Sequence, residues 1–200
     1  LCMTPQSIIT LARDPLNDTD AVTPRASDAE LVRAVNAGIK ELAIIQPTLF
    51  TRVHSFTCAA GAEQTLDYAT DIALVNVLSI HNGAGLTPFD RSSMDAFKPA
   101  WRSDAQAAAQ QWSPIEGSPL RFLVYPPSAN GQVLDVESVR VPAEYALSDS
   151  ITELPAAVEP ALARFVIHWC ESKDDEHVNS GRAQASYAAF VALVKPGATQ

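Results

Sequence analysis

The chain has few positive charges relative to its negative ones. Among 200 residues there are 14 Lys and Arg against 23 Asp and Glu, which gives a net charge of −9 and a pI near 4.8. Such a surface argues against binding nucleic acid through its phosphates, because that binding needs clustered basic side chains. The same acidity is compatible with a surface past which DNA moves without sticking.

Long hydrophobic runs and cysteines are also scarce. No apolar run approaches the roughly 20 residues that span a bilayer, and residues 1–14 lack the basic start and apolar core of a signal peptide. Cys2, Cys58 and Cys170 are odd in number and far apart, which favours a reducing compartment over a disulfide framework. We therefore expect a soluble acidic protein, made in a reducing intracellular compartment, without membrane association.

Catalytic and nucleotide-binding motifs are missing. The sequence contains no glycine-rich phosphate loop, no G-x-S-x-G and no H-E-x-x-H. His168 and Cys170 are two residues apart, so on a helix they diverge and cannot form a nucleophile and base pair. We expect Cys170 to be a core residue. The pattern predicts no catalytic residues, no cofactor and no metal.

Other chemically active residues have simpler explanations. The acidic cluster near the C-terminus favours a solvated turn over a metal site, since no second ligand group has matching spacing. His54 and His81 stand alone near predicted strand ends and favour structural roles. The tryptophans are expected to be core or interface anchors rather than base-stacking platforms. The cluster comprises Asp174, Asp175, Glu176 and His177, and the tryptophans are Trp101, Trp112 and Trp169.

The clearest local signal is an amphipathic helix in the segment Ser27–Phe50. Ser27 and Glu30 have capping-box spacing, and Pro47 ends the helix. Apolar residues recur every three or four positions at Leu31, Val35, Ile39, Leu42 and Ile45.

Three more helices are predicted at the two ends of the chain. The first begins at Thr4-Pro5, carries Ile8, Ile9, Ala12 and Leu16 on its apolar side, and is expected to end early at Pro15. The third follows Leu154-Pro155 with the stripe Val158, Leu162, Phe165, Val166 and Trp169. The last carries Ala183, Tyr187, Phe190, Val191 and Val194 and stops at Pro196-Gly197. Four such helices bury their stripes most simply against one another.

Strand signals dominate the middle. Ile72–Ile80 predicts a buried strand closed by a turn at His81-Asn82-Gly83. Leu120–Tyr125 and Gln132–Val141, joined by a loop with Asn130-Gly131, predict a β-hairpin. Thr87–Gly117, between the first strand and the hairpin, predicts an elaborated loop system. Within it, the Ala/Gln run of Asp104–Trp112 is compatible with a short helix.

The predicted fold class is therefore mainly α (α+β), with a four-helix-bundle core and an inserted middle region that contains a β-hairpin. We expect one domain over residues 1–200. Its helical core comprises residues 4–50 and 154–195, its β-rich insertion residues 51–150, and its C-terminal tail residues 196–200.

Ordered segments along nearly the whole chain resemble bacteriophage head-to-tail adaptor (connector) proteins. Two positions depart from the family pattern: Asp67, where a proline is expected, and Pro15 within the first helix. The segments that carry the resemblance are Ile8–Asp14, Leu16–Thr19, Arg25–Leu31 through Leu42, Gln46–Phe50, Gly61–Leu66, Pro99–Trp101, Phe122–Pro127, Lys173-Asp174 and the Ala183, Tyr187, Phe190 helix.

The resemblance implies a structural virion protein rather than an enzyme. Such proteins form a homo-oligomeric ring, usually a dodecamer, below the capsid portal at the neck. The ring extends the channel through which genomic DNA passes and binds the portal protein and a tail or tail-completion protein. Relatives are often monomers until they assemble on the portal.

Candidate interface residues follow from that implication. Charged outer positions on the predicted helices are Arg33, Lys40, Glu41, Arg164 and Glu171. For each of them a plain solvated helix surface explains the residue equally well. Lys195 and Gln200 are added because the C-terminal tail reaches toward the portal in several relatives.

Two alternatives stay open. One is a small hydrolase that uses His81 and Asp90 of the irregular middle. The other is a neighbouring tail-completion or gateway protein with a related helical core. Alanine at His81, Asp90, Asp174 and His177 separates the enzyme from the adaptor, since only an enzyme loses activity while assembly survives.

Overall fold

The computed structural model describes residues 3–18, 24–173 and 180–195. These residues form an α+β fold of five helices and two β-sheets, one with three strands and one with four. The predicted mainly-α fold with a four-helix bundle is therefore wrong. The middle of the chain is a β core in its own right, with seven strands where the sequence predicted three, a single strand and the two strands of a hairpin.

The elements follow one another in a simple order. The helices are α1 (Pro5–Leu16), α2 (Asp28–Ile45), α3 (Arg91–Phe97), α4 (Glu159–Glu171) and α5 (Ser180–Val194). The strands are β1 (Thr51–Thr57), β2 (Gly61–Thr65), β3 (Asp71–Ile80), β4 (Thr87–Pro88), β5 (Gln111–Pro114), β6 (Arg121–Ser128) and β7 (Val133–Arg140). Short 3-10 turns occur at Pro47–Phe50, Trp101–Ser103 and Ala156–Val158.

The chain divides into two compact units. The helical unit comprises Leu1–Phe50 and Pro142–Gln200, and the β unit comprises Thr51–Val141. Within the helical unit α1, α2 and α5 each pack against α4. The helices are thus arranged around α4 and do not form a four-helix bundle.

The N-terminal helices follow their capping signals. Thr4 and Ser7 form a capping box on α1, and Ser27 and Glu30 form the predicted one on α2. Pro15 does not end α1 early: the helix runs to Leu16 and is capped by the next residue in the left-handed conformation. In the last turn a proline forfeits a single hydrogen bond, and its fixed φ suits a helix.

The apolar stripes of the helices are largely buried, as predicted. On α2, Leu31, Val35, Ile39 and Leu42 are buried, whereas Ile45, the last residue of the helix, is half-buried. On α4 the centre of the stripe is buried but Trp169 is 39% exposed. α2 crosses α4 at Gly38, where a Cβ atom would lie 2.9 Å from Cδ1 of Phe165. The lack of a side chain at this position lets the two helices approach closely.

The two sheets of the β unit share one hydrophobic core. The strand orders are β1-β7-β3 and β2-β6-β5-β4. Hence β6 and β7 lie in different sheets, and the predicted hairpin between them is wrong. Both strands bury alternate side chains in the same core, with Phe122 and Val124 from β6 and Leu134 and Val136 from β7. They therefore contribute to that core from two sheets rather than pairing edge to edge.

The segment before β6 also differs from prediction. The strand β3 and its turn form where predicted, with Asn82 in the left-handed region at φ 56°. The expectation that the strand is buried is wrong, because β3 lies at the edge of its sheet and leaves Ile72 38% and Val75 49% exposed. The Ala/Gln run is not helical, because the N–H groups of Ala107 and Gln110 donate to carbonyls that follow in the β6 region. A helix that was not predicted, α3, lies upstream and is capped by Asp90.

Candidate functional site

Two of the predicted interface residues are exposed and unengaged. Arg33 on α2 and Arg164 on α4 both lie at the surface. In the described part of the chain, neither guanidinium has a hydrogen-bond or ion-pair partner. An arginine in this state presents its donors in a fixed fork that matches carboxylates. These residues are therefore available for contact with another protein.

Lys40 is also exposed, but it already has a partner. Its Nζ lies 2.6 Å from Oε1 of Glu144, and this contact lowers the pKa of the Glu144 carboxyl. One turn earlier, the Asn36 side chain donates to the carbonyl of Tyr145 and accepts from its N–H, both at 3.0 Å. Together these contacts fasten the segment after the β unit to α2.

Glu41 and Glu171 make contacts inside the helical unit. The Tyr187 hydroxyl on α5 donates to Oε1 of Glu41 at 2.8 Å, which raises the pKa of Tyr187. Glu171 is 2% exposed, and its Oε1 lies 3.4 Å from a guanidinium nitrogen of both Arg25 and Arg182. Its carboxylate is buried and is not presented to a partner.

The remaining candidates lie at the C-terminal end. Lys195 is exposed directly after α5. Gln200 lies outside the described residues, as do Asp174, Asp175, Glu176 and His177.

Glu171 belongs to an ion-pair network that joins the ends of four helices. A second buried carboxylate, Asp18, accepts from Arg13 at 2.5 Å and from the backbone N–H of Arg25 at 2.7 Å. Arg13 also lies 2.7 Å from Asp28 at the start of α2. Sequence reasoning missed this network, because its members are spread over the chain and only their charges mark them.

The outer part of the same network sits at the α2 capping box. Glu30 accepts from the backbone N–H of Ser27 and lies 3.0 Å from Lys173. The pKa of Glu30 is lowered to about 2, first by the Ser27 backbone hydrogen bond and then by Lys173. The cap that the sequence predicts is therefore strengthened by a distant lysine after α4.

The residues of the hydrolase alternative are engaged in structural contacts. His81 Nδ1 lies 2.7 Å from Asp135, whose other oxygen accepts from Ser79 at 3.2 Å. In a catalytic triad the serine bonds the imidazole, whereas here it bonds the carboxylate. Asp90 caps α3, and hydrogen bonds led by Ser93 lower its pKa to about 2. A carboxylate so acidic is a weak general base near neutral pH.

The sequence profile of the SU10 adaptor protein family matches residues 3–196. The chain belongs to the SU10 adaptor protein family. This family consists of phage adaptor proteins, and it is structural rather than catalytic. The predicted resemblance to phage adaptors is thereby confirmed at family level. No curated protein sequence matches the chain.

The adaptor's other chemically active residues are mostly internal. Trp101 is fully buried and donates from Nε1 to Asp95 at 2.8 Å. Cys58 and Cys170 are buried free thiols, and desolvation raises the pKa of Cys170 to about 11, so it is an unreactive core residue. His54 lies 3.8 Å from the buried Asp71. Within the described ranges, no cluster of three or more His, Cys, Asp or Glu side chains could hold a metal ion.

The helices of the adaptor offer no membrane span. None of those in residues 3–18, 24–173 and 180–195 is long and apolar enough to cross a bilayer.

Proposed function

We propose that this adaptor is a component of the phage neck that forms a homo-oligomeric ring, a dodecamer, below the capsid portal. The ring extends the DNA channel and connects the head to the tail. Its partners are the portal protein on one side and a tail or tail-completion protein on the other. The observation that carries this proposal is the match of the SU10 adaptor family to residues 3–196.

The charge of the chain supports a channel through which DNA passes. With a net charge of −9 per chain, a ring of identical subunits repels phosphates rather than binding them. Genomic DNA then moves through the channel without sequence-specific binding.

The two unengaged arginines support a role in subunit contact. A ring needs a heterologous interface, in which two different faces of the same chain are complementary. Arg33 and Arg164 supply exposed positive charge on α2 and α4, and the acidic excess of the chain supplies carboxylates to a neighbour. Lys195 and Gln200 are proposed to contact the portal.

Electron microscopy of the purified neck tests the proposal. We expect density for this chain as a closed ring of 12 copies, as in the resembling adaptors, directly against the portal. A position further down the neck would instead identify a tail-completion or gateway protein. Absence of the chain from the neck would refute the proposed role altogether.

A further inference from the structure

The two edge strands of the three-stranded sheet differ in how they are protected against pairing with another chain. β7 is the central strand, with β3 at one edge and β1 at the other. The β3 edge is interrupted by three register shifts, and its outward N–H groups at Leu74 and Ile80 donate to the carbonyls of Pro119 and Ala84. Bulges and covering loops are the usual protection of an edge strand against pairing with another chain.

The β1 edge has no such protection. β1 pairs with β7 over seven residues without a register shift. The N–H of Cys58 donates to Gln132 at 2.7 Å in the same register, so the even-numbered residues of β1 bond to β7. Val53, Ser55 and Thr57 consequently direct their N–H and C=O groups away from the sheet. We call these six backbone groups the open edge of β1.

The open edge is accessible and unpaired. Val53 is 58% exposed, and Ser55 and Thr57 are also exposed. Among the residues that the structure describes, these backbone groups have no hydrogen-bond partner. β1 contains no proline or lysine, and its one arginine, Arg52, lies at the start of the strand, before the stretch from Val53 to Thr57.

We propose that the open edge of β1 receives an extended segment of a partner protein in the phage neck, which adds a fourth strand to this sheet. Backbone hydrogen bonds to Val53, Ser55 and Thr57 hold the segment. Because these side chains are small, uncharged or β-branched, the matching segment is uncharged and β-branched where it faces them. The inference rests on the proposed function for the identity of the particle.

A partner segment fits the edge better than a second copy of β1. A pair of such short strands buries far less than the roughly 1,200 Å² of a stable interface. An antiparallel β1 to β1 pair is also two-fold and closes on itself, so it cannot repeat around a ring. A segment whose parent protein is already held in the neck binds instead at an effective concentration in the millimolar range.

Hydrogen exchange with single-residue resolution tests the proposal on the isolated protein and on necks isolated from particles. The amides of Val53, Ser55 and Thr57 should exchange fast in the isolated protein and at least ~10-fold more slowly in the neck. The amides of His54 and Phe56 are internal controls, since they are bonded to β7 in both states. Slowing that appears in the isolated protein as its concentration rises would show self-pairing and overturn the proposal.

The substitution Ser55→Pro provides the second arm. It removes one outward N–H and is tolerated on an edge strand, whereas Ser55→Ala removes the hydroxyl but keeps the N–H. We expect Ser55→Pro to reduce incorporation into necks at least ~10-fold and Ser55→Ala to leave it unchanged. Fast exchange of all three amides in a neck that contains the chain refutes strand addition alone. A neck without the chain refutes the proposed function as well.

Discussion

The crossing of α2 and α4 at Gly38 yields the sharpest stability prediction. Replacing a helical glycine by alanine normally stabilises a helix by about 1 kcal/mol. Here the new Cβ would lie 2.9 Å and 3.1 Å from Cδ1 and Cγ of Phe165 and 3.4 Å from Leu162. The ring is 7% exposed and packs against Phe190, so it cannot move aside freely. Overpacking of this kind costs about 1–3 kcal/mol, which exceeds the helix gain.

We therefore expect Gly38→Ala to lower the free energy of unfolding by about 1 kcal/mol, measured by urea denaturation. Ala37→Gly on the same helix is the matched control, and its loss of about 1 kcal/mol measures backbone propensity alone. In a Phe165→Ala background the clash is gone, so Gly38→Ala should become stabilising by about 1 kcal/mol. A stabilising effect of Gly38→Ala in the wild-type background would refute the close-packing argument.

Three further predictions concern the charged residues. Glu171→Ala should destabilise the protein by about 1–3 kcal/mol in chemical denaturation, because it removes the buried carboxylate that Arg25 and Arg182 share, while these two arginine side chains are 20% and 42% exposed and still reach water. No measurable loss of stability would contradict a structural role for this ion pair. Glu30 has a lowered pKa of about 2 against the ordinary 4.5, so its contribution to the free energy of unfolding is present above pH 4.5 and is lost as the pH falls toward 2. If Glu30→Gln loses stability with falling pH as steeply as the unchanged protein does, this prediction is wrong. Arg33→Glu should leave thermal unfolding unchanged but impair ring assembly, seen as fewer rings by electron microscopy. Normal assembly of this variant would show that Arg33 is not an interface residue.

The helices of the helical unit could be predicted because their signals are local. Capping residues and a 3.6-residue apolar period lie within the helix that they specify, as at Ser27 and Glu30. α3 escaped prediction because none of its residues is buried and it carries no apolar stripe. Its one signal was Asp90, whose carboxylate accepts from the backbone N–H groups of Ser92 and Ser93.

Strand pairing could not be predicted in the same way. A short loop with Asn130-Gly131 between two strand patterns is typical of a hairpin, yet β6 and β7 join different sheets. Which strand a residue pairs with depends on partners far away in the chain, such as β1 with β7. The fold class was missed for this reason, since the two sheets become apparent only once these distant partners are known.

For the candidate site, the sequence predicted which charged residues lie on the helices, but it did not predict which of them are exposed and which are buried in ion pairs. Arg33 and Glu171 look alike in the sequence, as charged positions on amphipathic helices. The structure leaves Arg33 exposed and buries Glu171 between two arginines. Tertiary packing decides which charges remain available to a partner, and the helical period alone does not contain that information.

The register between β1 and β7 has a consequence for how the chain reaches its native state. Thr51, where the chain enters the β unit, lies opposite Val139, two residues before its exit at Val141. Once the β unit has folded, its two ends are neighbours. The two chain segments of the helical unit are then joined across a short distance rather than through a long flexible loop. The conformational entropy of closing that loop is lost when the β unit folds, and folding of the helical unit carries no further cost for it. Replacing residues 53–139 by a short glycine-rich link should accordingly leave the helical unit able to fold.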